Sequence, residues 1–354
     1  HLNVLANMFL YVKFLKWFTF RSTAGANIIR YDSKSFNPTT YWNRGDKNTL
    51  VNSLSQNAKT TTEVTWNNTL TFDKDFGKHH LNVLLGTEAI WQNYSALGAS
   101  RSNFLVEDVD YRYLSAGEDE LNNWGSGSAY SLFSLFARAN YSYDNRYYLT
   151  YTFRYDGSSN FGPENRWAPF HSVAGSWRFT NEPWMKNLEW WSNGKIRLGW
   201  GQTGNSNIGG YAWGSSISPM DSALGAGYRP ANIANTAVQW ETQEQINIGL
   251  DLGFFQDRLN LTVDLYQKVS KNMLMGMQLP SYMGTQGNGS SVLSAPKGNF
   301  GSIENKGIEI TLDAHPFVGE FQWDSNFQIS FNRNTLKALS GTTAASIVGY
   351  GQWS

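Results

Sequence analysis

The chain has 354 residues and no cysteine, and its 28 Lys and Arg residues equal its 28 Asp and Glu residues. The balanced charge excludes the strong positive field that binding to nucleic acid or to an anionic surface requires. The lack of cysteine excludes disulfides, thiolate metal sites and cysteine nucleophiles. Aromatic residues make up 15% of the chain, with 15 tryptophans, which is more than an ordinary soluble domain carries. No run of about 18 apolar residues occurs, so we predict no transmembrane helix.

Apolar and polar residues alternate in six pairs of segments, and this period of two predicts β-strands rather than helices. In residues 133–155 the alternation runs through both halves, and the short polar turn 144–146 joins them. Each pair therefore predicts a β-hairpin, which gives about twelve strands and almost no helix. The predicted hairpins span residues 8–28, 64–91, 133–155, 173–200, 246–265 and 308–331.

The connections between these hairpins differ from the turns within them. The turns are mostly short, whereas long segments rich in Gly, Ser and Asn separate the hairpins, at 95–128, 204–240 and 269–302. Outer-membrane barrels combine short periplasmic turns with long extracellular loops in this way. A soluble β-sandwich would have shorter strands and no reason to segregate its loops.

Charged residues are restricted to one side of the predicted strands. The apolar positions of 64–91, 133–155 and 246–265 include no charge, and a Lys or Arg in the middle of a lipid layer costs about 2–4 kcal/mol. Tyrosine and tryptophan at strand ends are typical of an aromatic girdle, as at Tyr141, Tyr143, Tyr147, Trp177 and Trp200. We predict an all-β, transmembrane antiparallel β-barrel with a water-filled or plugged lumen; the β-sandwich remains the alternative. The opposite face carries Glu63, Glu88, Arg138, Arg154, Arg178, Lys195, Arg197, Asp251, Asp264, Glu309 and Asp324.

Two segments carry a family resemblance. YDGSSNFGPENRWAPFHSVAGSWRFTNEPWMK, from Tyr155 to Lys186, and KIRLGWGQTGNSNIGGY, from Lys195 to Tyr211, resemble the middle of the barrel of SusC/RagA-type TonB-dependent transporters from the outer membrane of Bacteroidota. NIGLDLGFFQDRLNLTVDLYQK, ENKGIEITLD and TFRSTAG resemble other parts of that barrel. The chain departs from the family pattern at Asn160, Ala168 and His171.

The resemblance implies a larger protein than these residues contain. Family members have an N-terminal regulatory-like domain, a TonB box, a plug and a barrel of 22 strands, the number found in plugged outer-membrane transporters. We therefore expect residues 1–354 to be a partial β-barrel domain, with the plug, the TonB box and the remaining strands elsewhere. A sheet of about twelve strands would leave unpaired backbone at both edges, which the hydrocarbon layer does not tolerate.

The resemblance also implies a function. It predicts import of an oligosaccharide or peptide across the bacterial outer membrane, with a SusD-like lipoprotein as a lid and the TonB complex as the energy source. Two other functions remain open, which are a passive or secretion-type channel and a soluble glycan-binding β-protein. The sequence contains no recognisable catalytic constellation, so we expect no enzyme activity, and nucleic acid is not an expected partner.

Aromatic residues in the long segments are the candidates for contact with substrate or lid. Flat aromatic faces stack on sugar rings, and interfaces favour tyrosine and tryptophan. The alternative is that these side chains pack the loops together. The candidates are Trp42, Trp124, Trp213, Tyr228 and Trp240, with Tyr41 a further residue for the lid interface.

Three other patterns suggest chemistry only weakly. Gly199–Gly204, GWGQTG, has the GxGxxG spacing but no following helix, so a dinucleotide site is not expected. We expect these glycines either to let the strand bend or to let a neighbour approach closely. His79 and His80 lie beside a short turn without a supporting metal cluster. The acidic runs 107–110 and 118–120 lack the spacing of a calcium loop. We predict no cofactor, no metal and no catalytic residue.

Overall fold

The computed structural model describes residues 1–40, 51–185, 187–222, 225–277, 282 and 293–338. Most of them lie in β-strands, and no helix among them is long and apolar enough to cross a membrane. The helices are single turns at Val109–Tyr111, Leu114–Ala116 and Phe179–Asn181. The strands are β1 Leu2–Phe14, β2 Phe18–Asn37, β3 Ser53–Phe76, β4 His79–Phe104, β5 Gly117–Tyr143, β6 Tyr147–Ser158, β7 Trp167–Arg178, β8 Trp191–Asn205, β9 Ile217–Ser222, β10 Gly225–Pro230, β11 Glu241–Phe254, β12 Leu259–Lys271, β13 Leu274–Gly276, β14 Lys297–Asn299, β15 Ser302–Val318 and β16 Gln322–Ala338.

Twelve strands form one sheet in the order β1-β2-β3-β4-β5-β6-β7-β8-β11-β12-β15-β16. Strands that follow each other in this order are hydrogen-bonded neighbours, and the pairs from β6 onward are antiparallel. The six predicted hairpins and the predicted strand number are confirmed. Four short strands form two further pairs, β9 with β10 and β13 with β14.

The prediction that residues 95–128 form a long loop is wrong. Strand β4 continues to Phe104 and β5 begins at Gly117, so only 105–116 lie outside strands. The acidic run 118–120 is therefore in a strand. The predicted loops at 204–240 and 269–302 likewise contain short strands. These extensions reach beyond a bilayer that about 9–11 strand residues cross. Residues 121–129 of β5 are exposed on both faces, and most of the buried positions at the end of β4 are small or polar, as at Gly98 and Ser102. The sequence here therefore lacks the apolar alternation on which the prediction depended.

The strands have one apolar face, which we call the outward face, and one polar inner face. In β6 the outward side chains of Leu149 and Tyr151 are 51% and 44% exposed. Ile248 in β11 is 46% exposed, while Phe153 and Val263 are half-buried. A sandwich would bury these side chains under a second sheet. Their exposure fits a lipid-facing surface instead.

Contacts divide the chain into two units. The first unit comprises 1–10, 22–67 and 88–132. Within it, the buried Asn52 accepts a hydrogen bond from the Phe104 backbone nitrogen at 2.6 Å and donates one to the Phe104 carbonyl at 2.9 Å. Glu107 accepts from the Asn52 side chain at 2.7 Å and from the Thr39 backbone at 2.8 Å. These bonds fix the chain around the end of β4, so Glu107 has a structural role in its loop.

The second unit comprises 11–21, 68–87 and 133–354. At one end of its strands, each short turn hydrogen-bonds the next. The Asp144 nitrogen donates to the Lys78 carbonyl at 2.8 Å, and the Arg178 nitrogen donates to the Arg146 carbonyl at 2.7 Å. The same pairing joins Phe255 to Trp190 and His315 to Arg258. Backbone pairing therefore continues from the strands into the turns.

The assignment of the outward face can be tested by placing a lysine on the outward face of β6 in one variant and on its inner face in another. We expect Leu149→Lys in the intact protein to lower the free energy of unfolding by about 2–4 kcal/mol, because the cation would face hydrocarbon. Thr152→Lys, on the inner face of β6, is the control and should cost little. Urea unfolding in lipid vesicles measures both, and equal costs for the two variants would contradict the assignment of faces.

Candidate functional site on the inner face and in the long loops

An ionic cluster lies on the inner face of β8, β11 and β12. The Arg197 guanidinium donates to both oxygens of Asp251 at 2.8 Å and to Asp264 at 3.1 Å. Gly249 is in register with both Arg197 and Asp264. A Cβ at Gly249 would lie 2.5 Å from Arg197 Cζ and 2.6 Å from Asp264 Oδ1. Glycine is therefore required for the guanidinium to cross β11.

A shallow cavity of about 270 Å³ adjoins Arg197 on this face. Its wall combines short side chains with hydrogen-bonding groups, including Tyr148, Thr150, Ser176 and Asn247. Such a surface can bind polar groups of a solute or of another protein segment. Beside this cavity, Asp251 and Asp264 both accept hydrogen bonds from the Arg197 guanidinium. This ionic pairing provides no activated nucleophile.

The long segments between strands have a hydrophobic core of their own. Phe161 and Val238 are fully buried, and Trp240 is only 7% exposed. The Trp240 ring lies 5.1 Å from that of Phe161 and 5.6 Å from that of Phe170. We call the described residues of 158–166, 206–240 and 293–301 the long-loop cluster.

Polar side chains join the three parts of the long-loop cluster. Asn160 donates to the Ser206 carbonyl at 2.9 Å, so the segment after β6 is tied to the segment after β8. Asn299 donates to the Gln239 carbonyl at 2.7 Å and accepts from the Gln239 nitrogen at 2.8 Å. Asn235 donates to the Lys297 carbonyl at 2.7 Å. The cluster is therefore an ordered surface rather than a set of independent loops.

The predicted contact residues differ in accessibility. Trp240 donates from its indole nitrogen to the Arg166 carbonyl at 3.1 Å, and its burial leaves little ring surface for a ligand. Trp124 lies in β5 and is 43% exposed; its indole nitrogen would be 2.4 Å from a Cβ at Gly98. Trp42 and Tyr41 lie outside the described residues.

Trp213 and Tyr228 are the accessible candidates in the long-loop cluster. Tyr228, in the β9–β10 hairpin, is 75% exposed. Trp213 is half-buried, and its indole nitrogen has no hydrogen-bond partner within the described part of the chain. The ring also lies 3.3 Å from a Cβ position at Gly162. Trp213, Tyr228 and Trp240 therefore come together in one cluster, and Trp124 belongs to the other unit.

Sequence analysis missed a network at the short-turn end. Glu182, which is buried, accepts hydrogen bonds from the Tyr147 hydroxyl at 2.6 Å, the Trp177 indole at 3.1 Å and the Arg146 guanidinium at 2.7 Å. Arg146 also pairs with Asp144 at 2.7 Å. These bonds, the one from Tyr147 foremost, hold the pKa of Glu182 below its ordinary value. Lys78 first, and Arg146 as well, lower the pKa of Asp144.

The signal for this network was present in the sequence as EPWMK. Glu182 and Met185 of that motif are buried, whereas Trp184 between them is 62% exposed. In this motif the acidic residue lies three positions before a buried methionine, in a turn between aromatic strands. A carboxylate buried at such a place must accept hydrogen bonds from the donors around it. The resemblance identified the motif but gave no role for Glu182.

The weaker patterns have structural explanations. GWGQTG lies in β8, and a Cβ at Gly204 would be 2.1 Å from the buried Phe170 ring. The prediction of close packing therefore applies to Gly204, whereas Gly199 has open space around it. His79 contacts Tyr141 at 2.7 Å and His80 contacts Asp75 at 2.8 Å. The described residues contain no group of three or more His, Asp or Glu that could hold a metal ion.

The sheet topology, exposed apolar face and polar inner face define an outer-membrane β-barrel domain. Residues 11–352 match the family model described as TonB dependent receptor-like, beta-barrel. The chain belongs to this family. The predicted resemblance to SusC/RagA-type proteins and the predicted outer-membrane location are confirmed.

The similar proteins include relatives of the predicted type. TonB-dependent receptor P3 of Formosa agariphila is 31% identical over 94% of this chain and 33% of its own length. TonB-dependent receptor SusC of Bacteroides thetaiotaomicron is 32% identical over 71% of this chain and 27% of its own length. The RagAB peptide importer superposes with a TM-score of 0.84 at 26% identity, over 95% of this chain and 36% of that one. The chain thus spans about a third of the length of these relatives.

Acid should weaken the Glu182 network. Because folding lowers the pKa of Glu182, its carboxylate stabilises the folded state above the ordinary value of about 4.3, and this stabilisation is lost as pH falls through the lowered pKa. We expect Glu182→Gln to reduce stability at neutral pH and to flatten the decline in acid. Urea midpoints from tryptophan fluorescence, at a series of pH values, measure the effect.

Glu189→Gln provides the matched control, since Glu189 is an exposed carboxylate in the same turn. It should follow the wild-type curve. Identical pH dependence of the wild type and Glu182→Gln would contradict a role for this carboxylate in the fold.

The core of the long-loop cluster can be removed without touching the sheet. We expect Phe161→Ala to lower the local free energy of opening by about 3–5 kcal/mol, the usual cost of a buried Phe→Ala change. Limited proteolysis of intact protein should then cleave within 206–240. Tyr228→Ala, which removes an exposed ring from the same cluster, is the control and should leave the loops resistant. Equal resistance of all three proteins would show that Phe161 does not hold the cluster.

Proposed function

We propose that the protein containing this chain imports an oligosaccharide or a peptide across the outer membrane, with energy from TonB. The observation that carries the proposal is the match to the RagAB peptide importer along 95% of the chain. A sheet with an apolar outward face and a polar inner face is suited to enclose a path for a polar solute. The family assignment also agrees with the prediction that the chain is not an enzyme.

The residues here supply wall and loops rather than the whole transporter. The polar inner face, with the Arg197 cluster and the adjoining cavity, would face the plug or the solute. The lining of this cavity includes the hydrogen-bonding side chains of Thr150, Ser176 and Asn247. A wall of this kind can exchange hydrogen bonds with water, solute or plug at little cost.

A SusD-like lipoprotein is the proposed partner at the long-loop end. The long-loop cluster supports this, because it is ordered by its own core and presents the exposed Tyr228. Tyrosine is enriched in the energetically important centres of protein interfaces. Trp213 is proposed as a second contact through the exposed part of its half-buried ring, because its indole nitrogen is buried.

Transport can be measured in cells that carry the intact protein as the sole copy. We expect uptake of a labelled oligosaccharide or peptide pool to stop when the proton gradient is collapsed and when the adjacent lipoprotein is deleted. A passive channel would keep its uptake after the gradient is collapsed. A soluble glycan-binding protein would fail to fractionate with the outer membrane.

The lid contact can be measured separately from transport. We expect Tyr228→Ala to weaken association with the lipoprotein about tenfold, a loss of about 1.4 kcal/mol, as measured by copurification at graded salt and by light scattering. Trp184→Ala is the matched control, because Trp184 is an exposed aromatic residue at the short-turn end. Unchanged association in Tyr228→Ala would exclude this residue from the lid interface.

A further inference from the structure

On the outward face of β12, β15 and β16 the continuous apolar surface ends at the same level, and only Val269 of β12 is apolar beyond it. Leu265 is in register with Ile308, and Ile308 is in register with Phe331. Below them, toward the short turns, the outward positions of these strands remain apolar or small for two further residues on each strand. The next outward positions toward the long loops are all polar: Gln267, Lys306 and Arg333.

A groove of about 570 Å³ lies across this boundary. Most of the residues that line it have outward side chains, so the groove opens on the face assigned to lipid. Its floor is apolar and its end toward the long loops is cationic, with Lys306 and Arg333. The floor consists of Ile246, Ile248, Leu265, Ile308 and Phe331.

The carboxylate of Glu304, two residues before Lys306 in β15, is already engaged elsewhere. The Glu304 side chain is 6% exposed and accepts from Lys337 at 2.8 Å and from Gln267 at 2.5 Å. Its contact with Lys306 is longer, at 3.8 Å. The ammonium of Lys306 is therefore only loosely paired and can reach the groove along its apolar stem.

The side chain of Arg333 has no hydrogen bond or ion pair with the part of the chain that the structure describes. Its guanidinium is exposed at the mouth of the groove. A guanidinium presents two parallel N–H donors that match phosphate or carboxylate oxygens. An unpaired arginine above an apolar floor is thus a site for an anionic head group on an apolar tail.

The surrounding charge also favours an anion. Near the long-loop end, the outward positions of β11, β12, β15 and β16 carry four cations and two carboxylates, Glu244 and Glu304. This surface therefore has an excess of two positive charges. Glu244 is bound to Lys271 at 2.5 Å, so it is not free to oppose an anion at Arg333. The cations are Lys271, Lys306, Arg333 and Lys337.

We propose that this groove binds a phosphate-bearing lipid of the outer leaflet. The acyl chains lie on the floor from Ile246 to Phe331, and the phosphate lies between Lys306 and Arg333. The long-loop end of such barrels is extracellular, so the cationic end is at the level of the outer head groups. Basic pockets at this depth recognise lipid phosphates, whereas the apolar floor alone would accept any acyl chain. The inference rests on the barrel and its location, and it is independent of the proposed import.

Native mass spectrometry of the intact protein tests the site. The protein, purified in neutral detergent, is incubated with an equal mixture of phosphatidylglycerol and phosphatidylcholine, and in parallel with monophosphoryl lipid A. We expect the anionic lipids to be retained about tenfold better than phosphatidylcholine. Lys306→Gln combined with Arg333→Gln should abolish this preference, while excess inorganic phosphate should leave the retained lipid in place.

A control pair removes the same charge from the inner face. Lys195→Gln combined with Lys268→Gln changes two lysines whose side chains point away from the lipid, and it should retain anionic lipid as the wild type does. Equal retention of phosphatidylcholine and phosphatidylglycerol by the wild type would overturn the proposal. So would equal losses in the two double variants, or displacement of the lipid by inorganic phosphate.

Discussion

Backbone hydrogen bonding in a medium without water is the constraint on which the rest of this structure depends. Each unpaired N–H or C=O group in hydrocarbon costs several kcal/mol, so every strand needs a neighbour on both sides. The twelve strands follow each other in the sheet with hydrogen bonds between neighbours. The pairing of successive turns, such as Asp144 with Lys78, continues the same arrangement to the end of the strands.

The same constraint explains where the apolar residues are packed. In the sheet, side chains such as Leu149 remain exposed because lipid is their partner, so the strands need no second layer. The long loops lie in water and must exclude it by themselves. They do so with Phe161, Val238 and Trp240, which are among the most buried apolar residues that the structure describes. The protein thus has a lipid-facing surface in the sheet and a conventional core in the loops.

Sequence reasoning succeeded where one face meets lipid and the other meets water, because that difference imposes a period of two. It therefore predicted the hairpins around Asp144–Arg146 and the charged inner residue Arg197. It failed from 95 to 128, where the strands continue but the positions that are buried, such as Gly98 and Ser102, are small or polar, so the apolar alternation is lost. The functions of individual aromatic residues were also beyond it. Trp240 and Tyr228 are both aromatic residues in the same long segment, so the sequence does not distinguish them. The structure does, because Trp240 packs against Phe161 and is buried, whereas Tyr228 is exposed.

The segment from Tyr155 to Lys186 shows how one stretch of chain serves both ends of the wall. Its first part inserts Phe161 into the core of the long-loop cluster, and its last part places Glu182 among the donors of the turn network. Strand β7 connects these two fixed ends. Under the proposed function, a pull on the plug acts against the wall, and a strand held at both ends resists displacement better than one held by its ladder alone. This requirement gives a physical reason for the two motifs, DGSSNFG and EPWMK, to occur together around one strand.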